Sequence, residues 1–211
     1  TRQMYAGQYG TALSYTELPS WHLEHFGIKI DEYVKHHDSH AAAGYFTSPF
    51  KEATILTVDA IGEWDTVSIS TAEKVWIERK ETIQYPHSIG ILYSAFTHRC
   101  GLKPAEEEYI LMGMAAYGKP KYKDDIYNDF VHQSPFKLKQ NLHRGLSDWH
   151  PEADVMDLAA SVQAVTEECL ADLWHRASKY GSRNLVYAGG VALNCAANRV
   201  LANLGLFDNI W

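Results

Sequence analysis

Apolar positions along the chain fall into two periods, and these predict most of its elements. Residues 53–58 (ATILTV) form a largely apolar, β-branched run, which reads as a strand buried on both faces. Asp59-Ala60-Ile61-Gly62 interrupts that run as a turn. Residues 66–70 and 75–79 then alternate as two further strands of a meander. Helical spacing predicts helices over 36–46, 88–99 and 106–117, with Gly101 and Gly118 just past the last two. The longest helix is predicted over 154–180, with Leu158, Val162, Val165, Cys169, Leu173 and Ala177 along one face and Gly181 as its stop. A buried strand over 184–188, the turn Gly189-Gly190, a helix over 195–204 and the opening of a strand at 207–211 make a βαβ unit.

Outside these periods the pattern is weaker. Residues 1–15 are small and polar and read as a frayed helix. Residues 20–26 carry Trp21, Leu23 and Phe26 ahead of Gly27, and 28–34 reads as a short strand or approach segment. Residues 121–149 are polar, aromatic and irregular, as in an insertion or lid. The fold class is therefore α/β.

Composition narrows the functional classes. A chain of 211 residues, 46% hydrophobic and 21% charged, is ordinary globular material. A net charge of −7 argues against a surface that tracks nucleic-acid phosphates, so no nucleic-acid partner is expected. No apolar run approaches the roughly 20 residues of a membrane span, and no membrane partner is expected. The opening Thr1-Arg2-Gln3-Met4 is neither a secretory signal nor an initiator methionine, so the chain reads as an excised piece. Cys100, Cys169 and Cys195 are odd in number and show no paired spacing, which fits a reducing, cytoplasmic setting better than a zinc–thiolate site.

Eleven histidines are many for such a chain, and their clustering carries chemistry. His36 and His40 sit four apart on a predicted helix, so both imidazoles leave one face and can converge on one ion. Asp59, at the C-terminal end of the buried strand, can add a carboxylate where ligand sites of α/β sheets gather. Two histidines and one carboxylate leave coordination positions open, as a catalytic metal needs. The same pair could instead cap a helix or meet carbonyls in a polar core. Gly189 and Gly190 after a strand can admit a phosphate to backbone N–H groups, or can simply form a tight turn. Gly62 offers a second approach for phosphate. Asn194 either bonds a ligand or caps the next helix. Glu106 and Glu107 read as a solvated face, whereas Gly113, inside a helix, points to close packing or ligand approach.

The strings HHDSHAAAGYF (36–46), TVDAIGEWDT (57–66), YPHSIGILYSAFT (85–97), GLKPAEEEYILMGMAAYGKP (101–120) and LVYAGGVALNCAANRVL (185–201) resemble the O-carbamoyltransferases of nodulation-factor, cephamycin and tobramycin biosynthesis. They occur in order from about residue 30 to the end. The resemblance implies a larger domain similar to the threonylcarbamoyl transferases, within the actin, heat-shock chaperone and sugar-kinase superfamily. That domain has two ribonuclease-H-like lobes with nucleotide between them. It implies a first lobe over about 28–120, an insertion or lid over 121–150, and the start of a second lobe over 151–211. A separate C-terminal domain of the full-length chain would make carbamoyl-adenylate from carbamoyl phosphate and ATP. The larger domain would then pass the carbamoyl group to a hydroxyl of a small acceptor, with the nodulation factor the nearest in overall likeness.

In that scheme His36, His40 and Asp59 hold a divalent metal, iron(II), near the adenylate phosphate, and Gly189, Gly190 and Asn194 match the nucleotide-binding turn. The family's acid–base residues lie on an N-terminal strand not recognisable here, so no catalytic residue is named. This chain has Glu108-Tyr109-Ile110 and Ala115-Ala116-Tyr117-Gly118 where the family commonly reads E-Y-K and A-P-Y-G. The piece alone is expected to lack turnover. The alternatives are a threonylcarbamoyl transferase acting on tRNA and a non-catalytic nucleotide- or metal-binding lobe.

Overall fold

Alternation along one strand, β1 (Glu52–Gly62), organises the architecture. Ala53 and Ile55 face helix α1 (His36–Thr47) and pack with Ala41, Tyr45, Ala72 and Val186. Leu56 and Val58 face the other way, into a larger core shared with α2 (Ile89–Arg99) and α5 (Val155–Ser178). Both faces of the strand are buried, as its β-branched, apolar composition requires. The computed structural model describes residues 26–29, 31–32, 34–132, 134–146 and 148–211.

β1 pairs antiparallel with β2 (Asp65–Glu73), which pairs antiparallel with β3 (Trp76–Gln84). On its other side β1 runs parallel to β6 (Asn184–Ala188), and β6 runs parallel to β7 (Asn209–Ile210). The order across the five-stranded mixed sheet is β3-β2-β1-β6-β7. Between α2 and α5 lie α3 (Glu108–Ala115), α4 (Lys123–Asp129) and a two-stranded ribbon of β4 (Val131–His132) and β5 (Lys137–Leu138). A 3-10 turn (Gly190–Leu193) and α6 (Cys195–Ala202) connect β6 to β7. That completes the βαβ unit read from the sequence.

Helix ends follow local chemistry. Ser88 caps α2 by accepting from Ile91 N at 3.0 Å, and Asp154 caps α5 by accepting from Met156 N at 2.7 Å. Each oxygen satisfies one of the N–H groups that a helix start leaves without a partner.

One expectation is corrected. Asp59-Ala60-Ile61-Gly62 is not a turn: β1 continues through it, with a register shift between Val58 and Gly62. The polar residue marks a bulge, which re-aims side chains without ending the strand. β6 pairs directly with β1, and residues 37–211 form one compact unit. The segment over 121–149 packs into the body of the fold. Ile126, Phe130, Val131, Phe136, Leu138 and Leu142 are buried in the main core, and Arg99 holds the carbonyls of Trp149 and His150.

The described residues before His37 belong to a separate unit. Within it Phe26, Ile28 and Val34 are exposed, and Lys29 pairs with Asp31 at 3.5 Å. The described part of 28–34 contains no strand. The helix read over 1–15 and the segment of Trp21 and Leu23 lie outside the described residues.

Candidate metal and nucleotide site

The period of two that buries Ala53 and Ile55 against α1 also turns Asp59 toward that helix. His40 Nε2 lies 3.2 Å from Asp59 Oδ2. With His36, the first residue of α1, these side chains bring one ligand atom each within 4.8 Å of one another. The other carboxylate oxygen, Oδ1, accepts from Ala60 N at 2.7 Å, which fixes the plane of the group. Asp59 is largely buried and His40 about one-third exposed (16% and 34% of the side chain), so the cluster opens toward solvent on the histidine side.

The two residues between the histidines anchor the helix. His37 is buried, with Nδ1 3.1 Å from Ser68 Oγ on β2. Asp38 accepts from Arg79 of β3, whose Nη1 also donates to Asp65 at 3.1 Å. Gln84 Nε2 completes the set by donating to Asp65 at 3.0 Å. The first turn of α1 is thus tied to two strands, and the ring directions of His36 and His40 follow from that docking.

The glycine turn packs against the same carboxylate. Gly189 has φ 99°, and a Cβ there would lie 2.3 Å from Val58 O. A Cβ on Gly190 would lie 2.9 Å from Asp59 Oδ1. Only glycines let β6 turn this close to the end of its pairing with β1. Behind the turn, Asn194 accepts from Ala197 N at 3.0 Å and caps α6. Its amide exchanges hydrogen bonds with Gln163, Nδ2 donating at 3.0 Å and Oδ1 accepting at 3.1 Å. Tyr93 donates to the same Gln163 oxygen at 2.9 Å, and burial pushes its phenol well above its ordinary pKa.

A pocket of about 420 Å³ lies beside this cluster, floored by Asp59, Gly90, Tyr93, Thr166, Gly190 and Asn194. Its outer wall comes from Ser94, Glu108, Tyr109 and Met112. Glu108 accepts from Ser94 Oγ at 2.6 Å and from Ala105 N at 2.7 Å. Thr166 Oγ1 is fully buried there and has no hydrogen-bond partner among the described residues.

The structure brings His36, His40, Asp59, Gly190 and Asn194 to one place, with Gly189 directly behind them. It does not bring Gly62 there. That residue closes β1 opposite Asp65, away from the residues lining the pocket. A Cβ on Gly113 would meet no atom within 4 Å, so close packing does not explain it. Tyr93, Gln163 and Thr166 escaped the sequence reading. Their one signal is the polar pair Gln163 and Thr166 inside a helix buried nearly all round.

The carbamoyltransferase N-terminus family matches residues 24–211, and the chain belongs to that family. Among individual proteins, an uncharacterized protein of Synechocystis is 41% identical over 201 residues, covering 84% of this chain and 33% of the relative. Nodulation protein NolNO of Sinorhizobium fredii is 27% identical over 208 residues, covering 89% and 30%. Nodulation protein NolO of Bradyrhizobium diazoefficiens is 26% identical over 193 residues, covering 84% and 35%. The chain spans about a third of the length of these relatives.

Proposed function

We propose that this chain is the transfer core of an O-carbamoyltransferase, built on a ribonuclease-H-like lobe of the actin and sugar-kinase type. It passes a carbamoyl group from carbamoyl-adenylate to a hydroxyl of a sugar-like acceptor. An adenylate-forming domain of the full-length protein makes the donor from carbamoyl phosphate and ATP. The observation that carries the reading is the convergence of His36, His40 and Asp59 within 4.8 Å, directly against the Gly189-Gly190 turn. The sheet order β3-β2-β1-β6-β7, antiparallel on one side of β1 and parallel on the other, supports the lobe assignment.

The donor set fits a divalent metal such as iron(II). Two imidazoles and one carboxylate suit a first-row ion and leave positions open. Asp59 is already oriented by a backbone N–H, as a ligating carboxylate needs. A bound cation supplies Lewis acidity that offsets charge growing on the departing phosphate.

The chain's own groups do the rest. The two glycines let the nucleotide phosphate approach the backbone, and the Tyr93–Gln163–Asn194 network holds the turn in position. The largely apolar pocket excludes water from a labile mixed anhydride. In the transfer, the acceptor hydroxyl gives its proton to a base, its oxygen bonds to the carbamoyl carbon, the carbon–phosphate-oxygen bond breaks, and AMP leaves with the electron pair.

The test is radiolabelled carbamoyl phosphate and ATP given to the full-length protein with a panel of sugar hydroxyl acceptors, from single-ring sugars such as glucuronate to a lipochitooligosaccharide. Label in the acceptor, matched by AMP release, supports the reading, and residues 1–211 alone should give none. Transfer that proceeds in full-length protein without ATP would overturn it.

A further inference from the structure

Beside the first pocket lies a second, of about 270 Å³, and the two share Ala60, Ser94 and Ala105. Its walls are Ile61, Ile91, Pro104 and Leu142, and its rim carries His98, His143 and Arg144. The volume is below the roughly 300 Å³ at which drug-sized sites begin, so a single ring is the natural occupant.

The rim is built in place. Leu142 is buried, Gly145 N donates to Leu142 O at 2.9 Å, and Gly145 has φ 85°. A Cβ on Gly145 would lie 2.7 Å from His98 Nδ1, so the 142–145 loop seats on α2 through a bare glycine and fixes the backbone beside Arg144.

Arg144 makes no ion pair or hydrogen bond among the described residues, and neither do the rings of His98 and His143. No carboxylate lines this pocket. The carboxylates that line the first pocket are engaged: Glu108 by Ser94 and Ala105, Glu106 by Lys103 at 2.6 Å, and Asp59 by Ala60 N and His40. In a chain of net charge −7, an unpaired guanidinium over an apolar, ring-sized cavity is a local reversal of sign. Arginine is also the side chain best matched to carboxylate and phosphate.

We infer that this second pocket is the acceptor subsite, and that it selects a single-ring hydroxyl acceptor bearing an anionic group, held by Arg144. The assignment rests on the carbamoyl-transfer reading, because it is the shared wall with the donor pocket that makes the occupant an acceptor. A polycationic acceptor would be repelled at the rim.

The test is saturation-transfer NMR on the full-length protein with glucuronate, glucose and glucosamine as probes. Glucuronate should bind at least about tenfold more tightly than glucose, the effect of one charge-assisted hydrogen bond, and glucosamine most weakly. The exposed substitution Arg144→Glu should reverse the order of glucuronate and glucosamine. Glucuronate binding no tighter than glucose, an order unchanged in Arg144→Glu, or competitive displacement of glucuronate by AMP would each overturn the inference. AMP release and label transfer are read separately. A protein that prefers glucuronate through Arg144 but transfers no carbamoyl group contradicts the proposed function alone.

Discussion

Gly189 and Gly190 sit where two backbones and a carboxylate leave no room for a methyl group. Gly189→Ala would combine a positive φ of 99° with a contact of 2.3 Å to Val58 O. Strain of this kind costs about 1–3 kcal/mol before the clash is added, so the variant should lose at least about 2 kcal/mol in urea unfolding of the full-length protein. Gly190→Ala differs, because the listening partner of its methyl is the Asp59 side chain, which can rotate away. That variant should stay folded while metal affinity falls by about tenfold, as when an orienting partner of a ligand is lost. An unchanged affinity, measured by titration with iron(II), would show that Gly190 does not set the Asp59 position. At this scale the sequence held the His36, His40 and Asp59 set, since a spacing of four and the end of an apolar run are both visible in one dimension. Gly62 lies at the hairpin beyond a bulge, and its place was not visible because bulges depend on the partner strand. Asn194 was left open between two roles, and the hydrogen bond to Ala197 N establishes that it caps α6.

Helix α1 is held by its own polar residues more than by its length. Arg79 bridges Asp38 on the helix and Asp65 on β2. Arg79→Ala should leave the far-ultraviolet circular dichroism intact and weaken metal binding by about tenfold, because the helix start would no longer be docked. Equal affinity in the variant would mean that the apolar contacts of Ala41 and Tyr45 suffice to aim the histidines. A second tie joins β3 to α5 through Glu81, Arg176 and Tyr180. Burial opposes the charge on Glu81, yet the hydrogen bonds from Arg176 and Tyr180 hold its carboxyl below its ordinary value of 4.5. A depressed carboxylate contributes stability that is fully present above the ordinary value and is lost as pH falls through the folded one. The stability difference between wild type and Glu81→Gln should therefore be constant at neutral pH and shrink below about pH 4. A difference independent of pH would remove the ion pair from the account. The elements themselves were largely legible, because period and caps are local. Their ends were not: β2 and β3 run well past 66–70 and 75–79, since edge pairing continues through residues whose own pattern is polar.

Across the whole molecule, one sheet gathers segments that the sequence reading had divided. β6 lies beside β1 although more than 120 residues separate them, and nothing in either strand names its neighbour. The aromatic stretch over 121–149 looked irregular because its contacts are tertiary, with Phe96, Phe130 and Trp149 meeting edge to face. Among the described residues no helix is long and apolar enough to cross a membrane. The family assignment covers 24–211, and the relatives extend to about three times this length, so activity belongs to an assay of the full-length protein. What the proposed function assigns to this chain is a place for one cation beside the Gly189-Gly190 turn. The direct test is anaerobic titration of the full-length protein with iron(II), followed by metal analysis of wild type and of the double variant His36→Ala, His40→Ala. The account predicts one ion per chain in the wild type and its loss in the variant. An ion retained at the same stoichiometry without the two histidines would contradict it.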